Sequence, residues 1–248
     1  MDKPGGEDLA LFGHLRRSYE ARNIPFQMGY MLRHNPALRW VRHAVKQHWL
    51  GEILEIQADM SHDYGGDAYQ HYLGQFRGGI MFNLGCHLID FIVALLGQPT
   101  RVMPMLQSTP DCGNHIKNNC TAILEYAHAT VTLRACSKIV DGLWRRRLKL
   151  CGTNGSVELC PIERFDGQPL RMELVLKDAI PGYAAGAHII DFGVVRDRYE
   201  DQLLELAKII RGQITNPYTC EHDCLVQEVL LAAAGYTAWR TRNACDGH

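Results

Sequence analysis

The stretch Asn83-Leu84-Gly85-Cys86-His87-Leu88-Ile89-Asp90 sets three polar side chains into a run that is otherwise apolar from Ile80 to Ile92. Asn83 and His87 are four apart, which places them on one helix face, and Asp90 lies on a neighbouring stripe. A helix that is apolar nearly all round is buried. An imidazole inside it needs a hydrogen-bond partner, and Asn83 or Asp90 can supply one. The plain reading is a satisfied core histidine.

Other candidates also have plain readings. Lys3, beside Pro4, reads as a solvated lysine. Arg145, Arg147 and Lys149 alternate along a basic segment and read as a solvated or subunit-facing edge, with an anion site as the alternative. Trp144, at the start of that segment, can wall a sugar pocket by stacking on a pyranose. Cys220-Glu221-His222-Asp223-Cys224 offers two thiols on one helix face and an off-face histidine, too few for the four ligands of structural zinc, so no metal site is expected. His62, Asp63 and His71 belong to a polar, aromatic segment, 61–77, expected to be an exposed loop.

The elements that must carry these groups are legible from periodicity. Leu9, Phe12, Leu15 and Tyr19 mark an amphipathic helix over 7–22, and Phe26–Tyr30 reads as a short strand. Asn35-Pro36 opens a helix running to about Trp49. Glu52–Met60 reads as a strand with Leu54, Ile56 and Ala58 on one face. Gly78-Gly79 opens the helix that carries His87, and Gly97 and Pro99 stop it. Strands are expected at 100–107, 119–126, 129–137, 144–151, 155–160 and 170–176, with Gly152–Gly155 turning between two of them. Two helices, near 196–211 and 220–241, close the chain. The sum is α+β: a large, mixed, mostly antiparallel open sheet with helices on one face.

Bulk properties narrow the function. The 248 residues carry 26 basic and 27 acidic side chains, so nucleic acid and anionic membranes are poor partners. No apolar run approaches the ~18 residues a membrane span requires. Met1–Glu7 has no apolar segment behind it and is not a signal peptide, so the chain reads as cytosolic. The nine cysteines, irregularly spaced and without a CxxC pair, read as buried free thiols.

In register, several of these features resemble one family. Asp2-Lys3-Pro4, then Gly29-Tyr30-Met31-Leu32-Arg33-His34-Asn35-Pro36, Gly51-Glu52-Ile53, Gly78-Gly79 with Asn83, His87 and Asp90, and Gly152-Thr153-Asn154-Gly155-Ser156 are similar to landmarks of the glucose-fructose oxidoreductase/inositol dehydrogenase/MocA (Gfo/Idh/MocA) oxidoreductases. The resemblance implies hydride transfer between a sugar or polyol secondary alcohol and NAD or NADP. It implies His87 as proton acceptor, its unperturbed pKa near ~6.5 being suitable. It implies Lys3 on the reacting oxygen, Pro4 against the nicotinamide, Asn83 on the substrate hydroxyl and Arg33 lining the pocket. Asn83 stands where the family usually has Asp; an amide can orient a hydroxyl but not take its proton.

No GxGxxG occurs, so most of a dinucleotide-binding domain is missing by this resemblance. Residues 1–32 are then the remnant of that Rossmann α/β domain, its last helix and strand, and 33–248 a substrate-binding and dimerisation domain. Without sheet partners, 1–30 are expected to leave their apolar face exposed. The family implies a homo-oligomer paired through the open sheet face. The alternatives are a non-catalytic sugar-binding or dimerisation module, or a truncated gene product.

Overall fold

The computed structural model describes residues 1–64, 66–113 and 115–239. Gly65 of the 61–77 segment, residues 240 and 241 of the helix expected over 220–241, and Cys245 lie outside the described residues; that helix itself ends early, at Ala233, before Gly235 with its φ of +72°. The strands are β1 (Ile53–Asp59), β2 (Arg101–Gln107), β3 (Asn119–Glu125), β4 (Thr130–Cys136), β5 (Arg147–Gly152), β6 (Gly155–Leu159), β7 (Arg171–Leu176) and β8 (Gly186–Asp191). They form one eight-stranded sheet in the order β2-β3-β4-β1-β5-β6-β7-β8. The β1–β4 pair is parallel and the other six pairs are antiparallel.

Period-two alternation sorts the sheet into two faces. One register row runs Val102, Leu124, Val131, Ile56, Leu150, Val157 and Leu174, all buried. Burial of each such side chain stabilises the fold by about 1.5–3 kcal/mol. The adjacent row on the other face runs Met103, Ile123, Thr132, Gln57, Lys149, Glu158, Glu173 and Ile189, half-buried or exposed throughout.

The helices are α1 (Leu9–Ala21), α2 (Pro36–Lys46), α3 (Asp67–Leu73), α4 (Cys86–Leu96), α5 (Glu200–Ile210) and α6 (Cys220–Ala233). Helices α4 and α6 pack together, with α1 against α6 and α2 against α4. Asn35 caps α2, its side chain accepting from the backbone N–H groups of Ala37 and Leu38, with Pro36 in the first turn.

Several sequence expectations change. Phe26–Tyr30 is extended but joins no sheet. Its carbonyls are met by other groups: the Met1 ammonium on Gln27 O, Gln202 on Met28 O and Asn216 on Phe26 O. Phe12, Phe26, Met28 and Tyr30 are therefore buried in the common core, and residues 1–30 do not leave an apolar face exposed. In β1 a bulge between Ile53 and Glu55 turns Leu54 out to solvent and buries Ile53 beside Ile56 and Ala58. The segment 61–77 holds α3 and is not all exposed, for His62 and Gln70 are buried. Trp144 and Arg145 lie in a short 3₁₀ turn, Gly142–Arg145, before β5.

Candidate active site

The helix expected from Gly78 begins with a π turn, Met81–Gly85, before α4. Such widened turns loosen the helical hydrogen-bond ladder and recur at functional sites. Here the carbonyl of Asn83 accepts a hydrogen bond from the Lys3 ammonium at 2.6 Å. Lys3 is held there by α6. Gln227 accepts from Gly5 N at 3.0 Å and donates to Gly6 O. A side chain at Gly5 would collide with Phe12. Eighty residues of sequence thus close into one contact, with the lysine at the mouth and the α4 helix behind it.

His87 lies one turn past Asn83 and is 2% exposed. Its ring edge meets Tyr30, and its Nδ1 accepts the backbone N–H of Met31 at 3.3 Å. Neither Asn83 nor Asp90 partners the ring, against the sequence expectation. Nε2 has no hydrogen-bond partner among the described residues. With Nδ1 accepting, the neutral ring carries its proton on Nε2. Burial, and after it the charge of Lys3, push the imidazole pKa well below its usual value; Arg146 and Arg198 act in the same direction and Asp90 opposes them. His87 is therefore held as the neutral ring, with Nε2 left as its donor.

Around Asn83 stands an aromatic polar shell. Tyr69 donates to Asn83 Oδ1 and Asn83 Nδ2 donates to Tyr72, both at 3.3 Å. His62 Nε2 lies 3.3 Å from the Tyr69 hydroxyl, and its ring stacks on Tyr64 at 3.8 Å. Burial, then the Arg146 charge, lowers the His62 pKa to about 4. Tyr69 and Tyr72, on one face of α3, were missed in the sequence because 61–77 was taken for a loop.

Behind this shell lies a second missed group. Arg146 is 1% exposed and donates to Ser61 O and to Glu163, at 3.0 and 3.1 Å. Its Nη2 is buried with no partner among the described residues. Arg198 shares the same carboxylate at 3.2 Å, and its other arm touches the Met31 sulfur.

Two expected site residues lie apart from this cluster. The Arg33 side chain is 1% exposed, paired with Asp90 at 2.7 Å and Asp223 at 3.0 Å, and its guanidinium covers the Tyr218 ring. Arg16 and His222 complete that ion core. The geometry makes Arg33 a brace between the 26–35 segment, α4 and α6. Trp144 faces Arg164 at 5.8 Å and is 38% exposed. No hydrogen bond or ring contact joins it to Lys3, Asn83 or His87. The eight described cysteines are free; Cys220 and Cys224 face each other at 3.9 Å while His222 turns to Asp90. Among the described residues no group of three His, Cys, Asp or Glu side chains is arranged around a metal.

Residues 38–158 match the model of the GFO/IDH/MocA C-terminal domain. Over that stretch, just under half of its length, the chain matches the GFO/IDH/MocA family through the C-terminal domain. Solved structures share this GFO/IDH/MocA fold. The UDP-N-acetylglucosamine 3-dehydrogenase from Acidithiobacillus ferrooxidans superposes with a TM-score of 0.74 at 14% identity, over 94% of this chain and 68% of that one. The aldose-aldose oxidoreductase from Caulobacter crescentus gives 0.72 at 18%, over 95% and 69%. A 3-ketoreductase from Actinomadura kijaniata, solved with NADP, gives 0.73 at 14%, over 94% and 69%. At these identities the likeness is one of fold. The chain spans about two thirds of the length of each. No curated protein matches its sequence. Among the described residues no helix is long and apolar enough to cross a membrane.

A dinucleotide asks two things of a GFO/IDH/MocA site. By the resemblance the nicotinamide end would meet Pro4, which is half-buried beside Lys3. The pyrophosphate end asks for a glycine-rich strand-to-helix turn, and no such turn is found among the described residues.

Proposed function

We propose that this chain is the substrate-binding part of an NAD(P)-dependent oxidoreductase acting at a secondary alcohol or ketone of a sugar or polyol. One observation carries the reading: the Lys3 ammonium reaches the Asn83 carbonyl at the head of the helix that holds a neutral, buried His87. In this reading a substrate oxygen bound at the head of that helix is met by two donors, Lys3 Nζ and His87 Nε2. Such preorganised donors favour oxygen-centred negative charge developing in a transition state. The solved relatives named above, a sugar-nucleotide dehydrogenase, an aldose oxidoreductase and a ketoreductase, agree with the class.

The chain's residues divide the work. Lys3 donates to the reacting oxygen and holds the proton that moves, because a neutral imidazole is a far weaker acid than an ammonium. His87, fixed by the Met31 N–H, donates from Nε2 and orients the oxygen. Asn83, with Tyr69 and Tyr72, positions neighbouring hydroxyls. Pro4 and Lys3 are the residues that would hold a nicotinamide, which would supply the hydride chemistry when bound. The arrangement favours carbonyl reduction, in which the substrate oxygen accepts both hydrogen bonds.

A non-catalytic sugar-binding module is the second reading, favoured by Asn83, whose amide cannot take a proton. Calorimetry of the chain against a panel of sugars and polyols separates the two. For the oxidoreductase reading, Lys3→Ala and His87→Ala are each expected to weaken binding about tenfold, the worth of one charge-assisted or buried hydrogen bond. Binding that survives both substitutions sinks the reading and leaves the module.

A further inference from the structure

A cleft of about 860 Å³ opens where the C-terminal ends of α2 and α4 meet the turn between β3 and β4. Neither Lys3, Asn83, His87 nor Arg146 lines it, so it is separate from the site described above. Its volume falls in the range of small-molecule pockets. The lining is of two kinds. Val45, Ile53, Leu95 and Leu96 supply an aliphatic wall, and all but Ile53 are only half-buried. Arg42 and Lys46, one turn apart on α2, supply charge. Neither forms an ion pair among the described residues; Arg42 donates to the neutral Tyr218 hydroxyl at 3.4 Å. Glu52 is the single carboxylate on the lining among the described residues. His222, also on the wall, is taken by Asp90 at 3.1 Å. The remaining imidazoles, His48 and His128, can add positive charge and never negative. The cleft is therefore net positive over an aliphatic wall.

We propose that this cleft binds a medium-chain aliphatic carboxylate, its head group on Arg42 and Lys46 and its chain along Leu95 and Leu96. A guanidinium and an ammonium offer charge-assisted hydrogen bonds to a carboxylate. Each methylene taken from water raises affinity by up to about fourfold. A flat nucleobase finds less here. Tyr218 is buried under the Arg33 guanidinium, 3.6 Å from its ring centre, and the Tyr126 hydroxyl is tied to the Gly97 carbonyl. Occupancy of the cleft is independent of the oxidoreductase reading, because the two sites share no lining residue.

The test is calorimetry of the whole chain with butanoate, hexanoate, octanoate, octanol and adenosine monophosphate. Octanoate is expected to bind one per chain, at least about tenfold more tightly than butanoate, with hexanoate between them, because its longer chain leaves water. Octanol, which keeps the chain and loses the charge, is expected to bind about tenfold more weakly than octanoate. Lys46→Glu, at an exposed side chain, reverses one rim charge and is expected to weaken octanoate about tenfold with the melting temperature kept. Lys3→Ala, in the other site, is expected to leave octanoate binding unchanged. Affinity that does not grow with chain length overturns the proposal, as does octanoate binding that Lys46→Glu leaves intact. Loss of binding in Lys3→Ala places octanoate in the other site and also overturns it. Adenosine monophosphate binding more tightly than octanoate overturns the choice of an aliphatic body. No binding of octanoate at millimolar concentration overturns the site itself.

Discussion

His62 and His87 are both buried and both prefer the neutral ring, which links stability to pH with a definite sign. Folding lowers the His62 pKa from about 6.5 to about 4, and His87 moves in the same direction. Between those values the unfolded chain binds the proton that the folded chain refuses. Stability is therefore full above about pH 6.5 and falls as pH drops toward 4. Glu163, whose carboxyl is raised by burial, works against this trend. Asp90, held down to about 2 despite its burial, with Arg33 the largest stabilising influence, adds a loss at more acid pH, below the range of an ordinary carboxyl. Melting temperature followed from pH 7 to pH 4.5 is expected to decline, and more gently in His62→Gln, whose amide can keep the Tyr69 hydrogen bond without titrating. Parallel profiles for the two proteins would show that His62 carries none of the linkage. The sequence made some of these residues legible and hid others. His87 and Lys3 stood out through their motif context. Arg146 was hidden by its neighbours: Arg145, Arg147 and Lys149 drew the eye as a one-face stripe, while alternation sends the residue between them to the opposite, buried side. His62 was hidden because a polar, glycine-containing segment looks exposed until Tyr64 and Tyr69 are folded over it.

The element that matters most to the site is the π turn at Met81–Gly85, and it is anchored from outside the helix. Gly79 has φ of +49°, and Ile80 N donates to Lys117 O at 2.8 Å. A Cβ at position 79 would stand 1.9 Å from that same Lys117 oxygen. Gly79→Ala thus meets left-handed backbone strain and a clash with main chain that cannot rotate away. The expected loss is roughly 2–4 kcal/mol, strain of about 1–2 plus the displaced Lys117 contact. Urea denaturation measures it, and a loss below about 0.5 kcal/mol would mean the segment re-forms without this approach. Periodicity located the helix carrying His87 but not its π opening, because a five-residue repeat leaves no signature in an apolar run. Among the strands, β2 to β7 were readable by alternation. The eighth, Gly186–Asp191, starts with Gly-Ala and is held by its pairing with β7, a nonlocal cause that no window of sequence contains. Phe26–Tyr30 failed in the other direction: its residue types favour a strand, yet its carbonyls are taken by Gln202, Asn216 and the Met1 ammonium.

At the scale of the molecule, one sheet face is filled by the core and the other is left with a mixed surface. Eight strands at their usual spacing and five to seven residues in length present roughly 700 Å² in projection. A stable interface takes about 800 Å² from each partner, so the face is of the size that a second copy could cover. Its exposed side chains include Val175 at 49%, Met105 at 52% and Ile189 at 60%. Glu173 stands opposite Ile189, and Lys149 opposite Glu158, in register, so apolar anchors sit among charges of both signs, as in self-complementary interfaces. We propose that two copies pair through this face. Light scattering of the eluted peak at micromolar concentration is expected to give twice the 28.0 kDa chain mass. Val175→Lys with Ile189→Lys is expected to halve it and leave the circular dichroism unchanged, since both side chains point away from the core. A wild-type monomer under those conditions would leave Val175 and Ile189 as ordinary surface residues and remove the dimer from the account. The pairing also bears on the site, because β5 runs through the middle of this sheet and Arg146 immediately precedes it. Arg147 and Lys149 lie on its outward face while Leu148 and Leu150 enter the core. A partner packed on the outward face would therefore steady the strand from which the buried guanidinium reaches Glu163.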